Sequence, residues 1–193
     1  MPANFRLKHN PNAKATRQVR RAANQSTRAI RRVLNSQIRQ TRKSSSRSIR
    51  DELALTKQRV DKALTIQKAT TQRLEAKVLA TSRGVLLSRF PHRQLTKRGK
   101  TKPRVRNGIS VKVSKGGSFN KFKRGFLIRL KTGEGQGERF GLAVRNGTKV
   151  DDYEVLHGPS PSQALNTLRD GIAEQEEPIL RERIQLELKR LIR

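Results

Sequence analysis

Between Ala13 and Leu53 the chain has no proline and no glycine, and alanine, arginine and glutamine dominate. Such a run predicts one long helix. Its apolar members are Ala15, Val19, Ala22, Ala23, Ile30, Val33 and Leu34. At about 100° per residue they fall in one arc, between roughly 140° and 260° when Arg17 is set to zero. The stretch Ser44-Ser45-Ser46-Arg47-Ser48 weakens helical propensity and is the place for a bend or break. Thr56 is positioned as the N-cap of a second, short helix over Lys57–Leu64.

The period then changes from helical to alternating. Leu74, Ala76, Val78 and Ala80 alternate with Glu75, Lys77 and Leu79, a strand pattern that Gly84-Val85-Leu86-Leu87 continues after a bulge or turn. Residues 91–108 read as a basic loop with two prolines and two glycines. Ile109, Val111 and Val113 predict a second strand, Phe126, Ile128 and Leu130 a third, and Phe140, Leu142 and Val144 a fourth. Gly116-Gly117 turns the chain, and Gly133–Gly137 forms a hairpin tip longer than a two-residue turn. The last helix is expected over about 162–192, capped by Ser160 or Ser162. Leu165, Leu168, Ile172, Ile179, Ile184, Leu188 and Leu191 form its amphipathic stripe, and Pro178 is expected to kink or restart it.

The expected fold is therefore α+β: a long basic N-terminal helix, a small antiparallel sheet of about four strands, and a C-terminal amphipathic helix. The chain divides into a flexible arm (1–12), a basic helical region (13–66), a small antiparallel β region with the basic loop (67–157), and the C-terminal helix (158–193). Such a sheet is stable only with helices packed on it.

Charge sharpens this picture. The 193 residues carry a formal charge of +30, with 45 Lys+Arg against 15 Asp+Glu. Residues 1–150 hold 39 Lys/Arg against 6 Asp/Glu, whereas residues 151–193 hold 6 against 9. That asymmetry predicts two surfaces with different partners, the larger one suited to polyanions. With apolar residues at 33% and aromatics at 4%, a compact core is expected over only part of the chain. The chain has no cysteine, so no disulfide or thiolate metal site forms. No apolar run approaches the ~20 residues of a membrane span, and the first 30 residues lack a secretory signal's apolar stretch. The expectation is a protein made in the cytoplasm with no membrane partner.

The most informative pattern lies in the first helix. Arg17, Arg28, Arg39 and Arg50 stand 11 residues apart; Arg20, Arg31 and Arg42 repeat that step, and so do Arg21, Arg32 and Lys43. Eleven residues make three turns plus about 20°, so the cations line up as a stripe opposite the apolar arc. From Arg17 to Lys43 it runs ~39 Å. No acid before Asp51 relieves the self-repulsion, and arginine favours bidentate phosphate contact. The stripe is expected to face nucleic acid or a channel lumen. Base-specific readout is not expected, because stacking aromatics are few and backbone contacts carry no sequence information. Lys97, Arg98, Lys100, Lys102, Arg104 and Arg106 form a second basic element, and Lys115–Arg124 continues it.

Catalytic chemistry finds no support in the pattern. His9, His92 and His157 lie far apart, without metal-ligand spacing, and Asp151-Asp152 lacks a partner motif. The glycine-rich run Gly133–Gly141 lacks the lysine and following helix of a phosphate loop. A nuclease or integrase reading needs a carboxylate cluster among the strands, but residues 74–144 contain only Glu75, Glu134 and Glu138. The chain is expected not to be an enzyme and to use neither cofactor nor metal.

Laid out in this order, the chain resembles the prophage minor tail protein Z family over roughly residues 13–193. The likeness rests on RQVRRAANQSTRAIRRVLNSQIRQ, LTKQRVDKALTIQKAT, LEAKVLATSRGVLLSRF, GFLIRLKTGEGQGERFGLAVRNG and YEVLHGPSPSQAL. Its most specific part is Leu156-His157-Gly158-Pro159-Ser160, similar to that family's glycine-proline-serine turn before the last helix. The resemblance implies a virion protein of a tailed bacteriophage, a minor tail or neck subunit that completes the tail and joins it to the head. It implies a homo-oligomeric ring around the DNA channel, with genomic DNA, other tail and neck proteins and the head–tail connector as partners. The alternative from composition is a ribosomal or nucleoid-type basic protein. It accounts for the charge equally well, and less well for the acidic terminal helix.

Overall fold

The computed structural model describes residues 13–97, 105–130, 139–147 and 152–192; the side chains of residues 13–15, 105, 106, 139 and 192 lie outside that description. The expected arm (1–12), hairpin tip (133–137) and Asp151 also lie outside it.

The fold is α+β, as the pattern predicts. Helix α1 spans Ala13–Glu52 without interruption, and α2 spans Lys57–Ala63 behind Thr56. Among the described residues ten short strands follow: β1 (Leu64–Gln67), β2 (Lys77–Ala80), β3 (Val85–Leu86), β4 (His92–Lys97), β5 (Val105–Val111), β6 (Asn120–Phe122), β7 (Gly125–Leu130), β8 (Arg139–Arg145), β9 (Tyr153–Val155) and β10 (His157–Gly158). Helix α3 spans Pro161–Ile192. All pairings are antiparallel: β1 with β2, β10 with β3, β4-β5-β6, and β7-β8-β9. Where the alternation predicts one sheet of about four strands, the described residues make four small sheets.

Four local expectations are corrected. The serine stretch does not break α1, because its serines are packing residues: Ser45 is buried, and Ser46 is buried and donates to Asp61 Oδ1 at 2.6 Å. The strand expected from Leu74 begins only at Lys77, and Leu74 is exposed. The basic stretch 91–108 is in part a hairpin, with His92–Lys97 pairing to Val105–Val111 across a shift between Gln94 and Thr96. Leu95 is the sole aliphatic of β4, so its strand character came from pairing and not from pattern. Pro178 does not restart the helix, since it lies inside one continuous α3. The close approach of β5 to the end of β6 requires Gly108: its φ is 92°, and a Cβ there would overlap the carbonyl oxygen of Phe122.

One buried cluster joins the elements. It runs from Ile49, Leu53 and Leu55 through Val60 and Leu64, then Val85, Leu87, Phe90, Ile109, Val111 and Leu142, to Ala164 of α3. The Gly158-Pro159-Ser160 turn is set against this cluster, since a Cβ on Gly158 would come within 2.8 Å of the Phe90 ring. Ser160 then caps α3 reciprocally: its Oγ accepts from Gln163 N at 3.1 Å, and Gln163 Oε1 accepts from Ser160 N at 2.9 Å.

Candidate nucleic-acid interface on the first helix

Helix α1 is long enough, at roughly 60 Å for 40 residues, to belong to two environments. Its C-terminal half is covered on two faces. Helix α3 lies along one face, where Glu176 accepts from Gln37 Nε2, from Thr41 Oγ1 at 3.3 Å and from Ser44 Oγ at 2.6 Å. Arg183 of α3 donates to Gln37 Oε1 at 2.7 Å. The α2–β1 corner and the segment after it cover another face. There Asn35 holds Ala69 by two bonds, donating to its carbonyl at 3.0 Å and accepting from its amide at 2.8 Å. The N-terminal portion is open, with every residue from Thr16 to Gln25 exposed.

The predicted cations divide accordingly. Arg17, Arg20, Arg21, Arg28, Arg32, Arg39 and Lys43 are exposed, and Arg31 is half-buried. Among the described residues none of these eight meets a carboxylate in an ion pair. Arg42 is a correction. Its Nε donates to Leu64 O at 3.1 Å and its terminal nitrogen to Asp61 O at 2.7 Å, so it closes the C-terminal end of α2. The reason is position: Arg42 sits on the edge of the stripe that the α2–β1 corner covers. The last carbonyls of a helix are unpaired and carry partial negative charge, which draws a cation. The stripe is thus wide only over the open portion of α1 and narrows to the line of Arg32, Arg39 and Lys43 farther on.

The first acid after the stripe does not neutralise it. Asp51 accepts from Lys115 Nζ at 2.8 Å. That bond and the ammonium's charge hold its carboxyl below the usual range, with Arg47 and Arg50 adding to the effect. Elsewhere, Arg93 stacks over Phe119 at 4.5 Å and Arg145 over Phe126 at 5.4 Å, so these two aromatics already carry guanidinium partners. Of the second basic element, Lys97 is exposed at the end of β4 and Arg106 lies in β5 opposite Thr96. Arg98, Lys100, Lys102 and Arg104 lie outside the described residues.

Sequence reasoning did not find the polar contacts of Glu176. The signal was present: Gln37, Thr41 and Ser44 stand four and three residues apart, on the same arc as the apolar residues. Among the described residues no group of three or more His, Asp or Glu stands close enough to hold a metal ion, and no helix is long and apolar enough to cross a membrane. Comparison of the chain with protein-family models, with curated proteins and with solved structures gives no match.

Proposed function

We propose that this chain is a non-enzymatic structural protein of a tailed-phage virion, a minor tail or neck subunit whose basic helix lies beside the genome in a head–tail channel. One observation carries the reading. Seven exposed cations and one half-buried one lie along α1 without a single carboxylate partner among the described residues. Holding like charges in a row raises the free energy of the isolated chain, and a polyphosphate lowers it through counterion release. Contact is with the phosphate backbone and not with bases, since the stripe contains no aromatic residue. The placement in a virion neck rests on the likeness of Leu156–Ser160 and the surrounding segments to the minor tail protein Z family. The turn before α3 is packed on the core at Phe90.

Two measurements test the two parts. Replacing Arg21, Arg28, Arg32 and Arg39 together with Gln is expected to weaken binding to duplex DNA. The slope of log affinity against log salt should lose about 0.9 for each phosphate contact removed. An unchanged slope means the stripe meets protein or solvent. In phage carrying a disrupted copy of the gene, filled heads and separate tails are the expected products. Particles that join and infect normally without the chain rule out the neck assignment.

A further inference from the structure

Three strands present a face that the core does not use. Pairing sets Arg93 of β4 opposite Ser110 of β5, and Ser110 opposite Lys121 of β6, so the three stand in one row across the sheet. Lys112, whose amide donates to Pro91 O at 2.9 Å, continues the ladder just past Val111. Side chains alternate across a strand. Ile109, Val111 and Phe122 turn to the core, so Arg93, Ser110, Lys112 and Lys121 turn away from it. Arg93 and Lys121 are exposed, and Lys112 is half-buried. The Arg93 guanidinium lies over the Phe119 ring at 4.5 Å, a contact that holds it in place. With strands ~4.8 Å apart and like-facing residues ~6.8 Å apart along each, these three cations share a patch about 10 by 7 Å.

The turn after β6 carries the charge around the edge of the sheet. Lys123 and Arg124 are exposed there, and with Arg145 of β8 they line a groove of about 500 Å³. The turn lies directly on β5, since a Cβ on Gly108 would come within 2.7 Å of Lys123 O. Arg145 stands over the Phe126 ring at 5.4 Å. Among the described residues none of these six cations meets a carboxylate in an ion pair. Lys115, from the same sequence run, does, and its partner is Asp51. The acids beside Tyr153, the partner of Arg145, are turned elsewhere. Glu154 stands opposite Val144 on the other face of its sheet, and the Asp152 carboxylate lies against Gly147.

We propose that Arg93, Lys112, Lys121, Lys123, Arg124 and Arg145 form a second contact surface for the phosphate backbone of nucleic acid, built on strands and separate from the stripe of α1. A polyphosphate suits it because each cation set beside a phosphate releases condensed counterions, and no acid of this surface has to be displaced. A protein partner is disfavoured. Stable interfaces centre on apolar surface, whereas here the strand positions are charged or polar and Phe119 lies beneath a guanidinium. The two stacked arginines are positioned before a ligand arrives, so they lose less freedom on contact than unstacked side chains. Contact is with phosphates and not with bases, because Phe119 and Phe126 already carry arginines. The choice of nucleic acid as partner rests on the reading of α1 as a phosphate-facing helix; the shape and charge of the surface do not.

The test uses the full chain, freed of nucleic acid with nuclease and salt, and a short DNA duplex. The sheet variant carries Lys121→Gln, Lys123→Gln and Arg124→Gln; all three positions are exposed, so unaltered circular dichroism is expected. A control variant carries Lys62→Gln, Lys68→Gln and Arg83→Gln, exposed cations outside the surface. The slope of log affinity against log salt is expected to fall by up to about 2.7 in the sheet variant, about 0.9 for each contact. The control should keep the wild-type slope. A sheet variant with the wild-type slope overturns the proposal, because the face then meets protein or solvent. A control that loses as much slope overturns it too, because only net charge is then being read. Acetylation of the wild-type chain, followed by mass spectrometry, needs no substitution. Duplex DNA is expected to slow modification of Lys121 and Lys123 several-fold and to leave Lys62 and Lys68 reactive; equal reactivity of all four in the complex overturns the proposal. The α1 variant, with Arg21, Arg28, Arg32 and Arg39 replaced, reports the stripe alone. An unchanged slope there with protection at Lys121 sinks the α1 reading and keeps this surface, and the converse sinks this surface only.

Discussion

Arg42 and Arg39 show how three residues separate two roles for the same side chain. Both belong to the eleven-residue pattern, yet Arg39 is exposed and Arg42 donates to the carbonyls of Asp61 and Leu64. A hydrogen bond from a charged donor contributes about 1.5–3 kcal/mol, and losing it leaves two carbonyls at a helix end without a partner. Arg42→Gln is therefore expected to lower unfolding free energy by about that amount in urea titration. The salt slope of DNA binding should stay as in wild type. A variant with wild-type stability and a flattened slope would return Arg42 to the interface. Spacing in sequence assigns a residue to a face, and the neighbour that covers that face decides its task.

At the scale of elements, α3 is set by its first turn and by what it lies against. Its start is fixed by the reciprocal bonds between Ser160 and Gln163, at a site where Ser160 is buried. Loss of such a cap costs about 1 kcal/mol, and Ser160→Ala is expected to lower the denaturation midpoint accordingly. Because Gly158 and Pro161 are packed around the same turn, the change should loosen the contact of α3 with the core cluster as well. Faster amide exchange across Ala164–Leu168 is the readout; exchange as slow as in wild type would show that packing alone holds the helix start. The cap was legible in the sequence, since a serine before an apolar-periodic run is a known helix start. Strand β4 was not, because one half-buried leucine among polar residues carries no period.

For the whole molecule, the dominating quantity is the charge of +30. Like charges repel within the folded chain, and salt screens that repulsion, the Debye length falling from ~30 Å at 0.01 M to ~8 Å at 0.15 M ionic strength. The melting temperature of the free protein is expected to rise over that interval, opposite to a protein held by exposed ion pairs. A falling melting temperature would mean that surface pairs such as Asp51–Lys115 outweigh the repulsion. The same screening weakens DNA binding, so stability and affinity should move in opposite directions with salt. That opposition is the signature expected of a chain whose cations are meant for a partner.

The amino-acid sequence by itself determined the two long helices, the α+β class, the turn before α3 and the line of cations. Each of these follows from local period, capping chemistry or composition. Tertiary structure alone decided that the serines of α1 pack and do not break it, that part of the expected basic loop pairs as a hairpin, and that Arg42 is structural. It also decided that Arg93, Lys112 and Lys121 stand on one face of a sheet. The physical reason is the same in each case: a helix or strand reveals its own faces, but which face is covered depends on groups brought from tens of residues away.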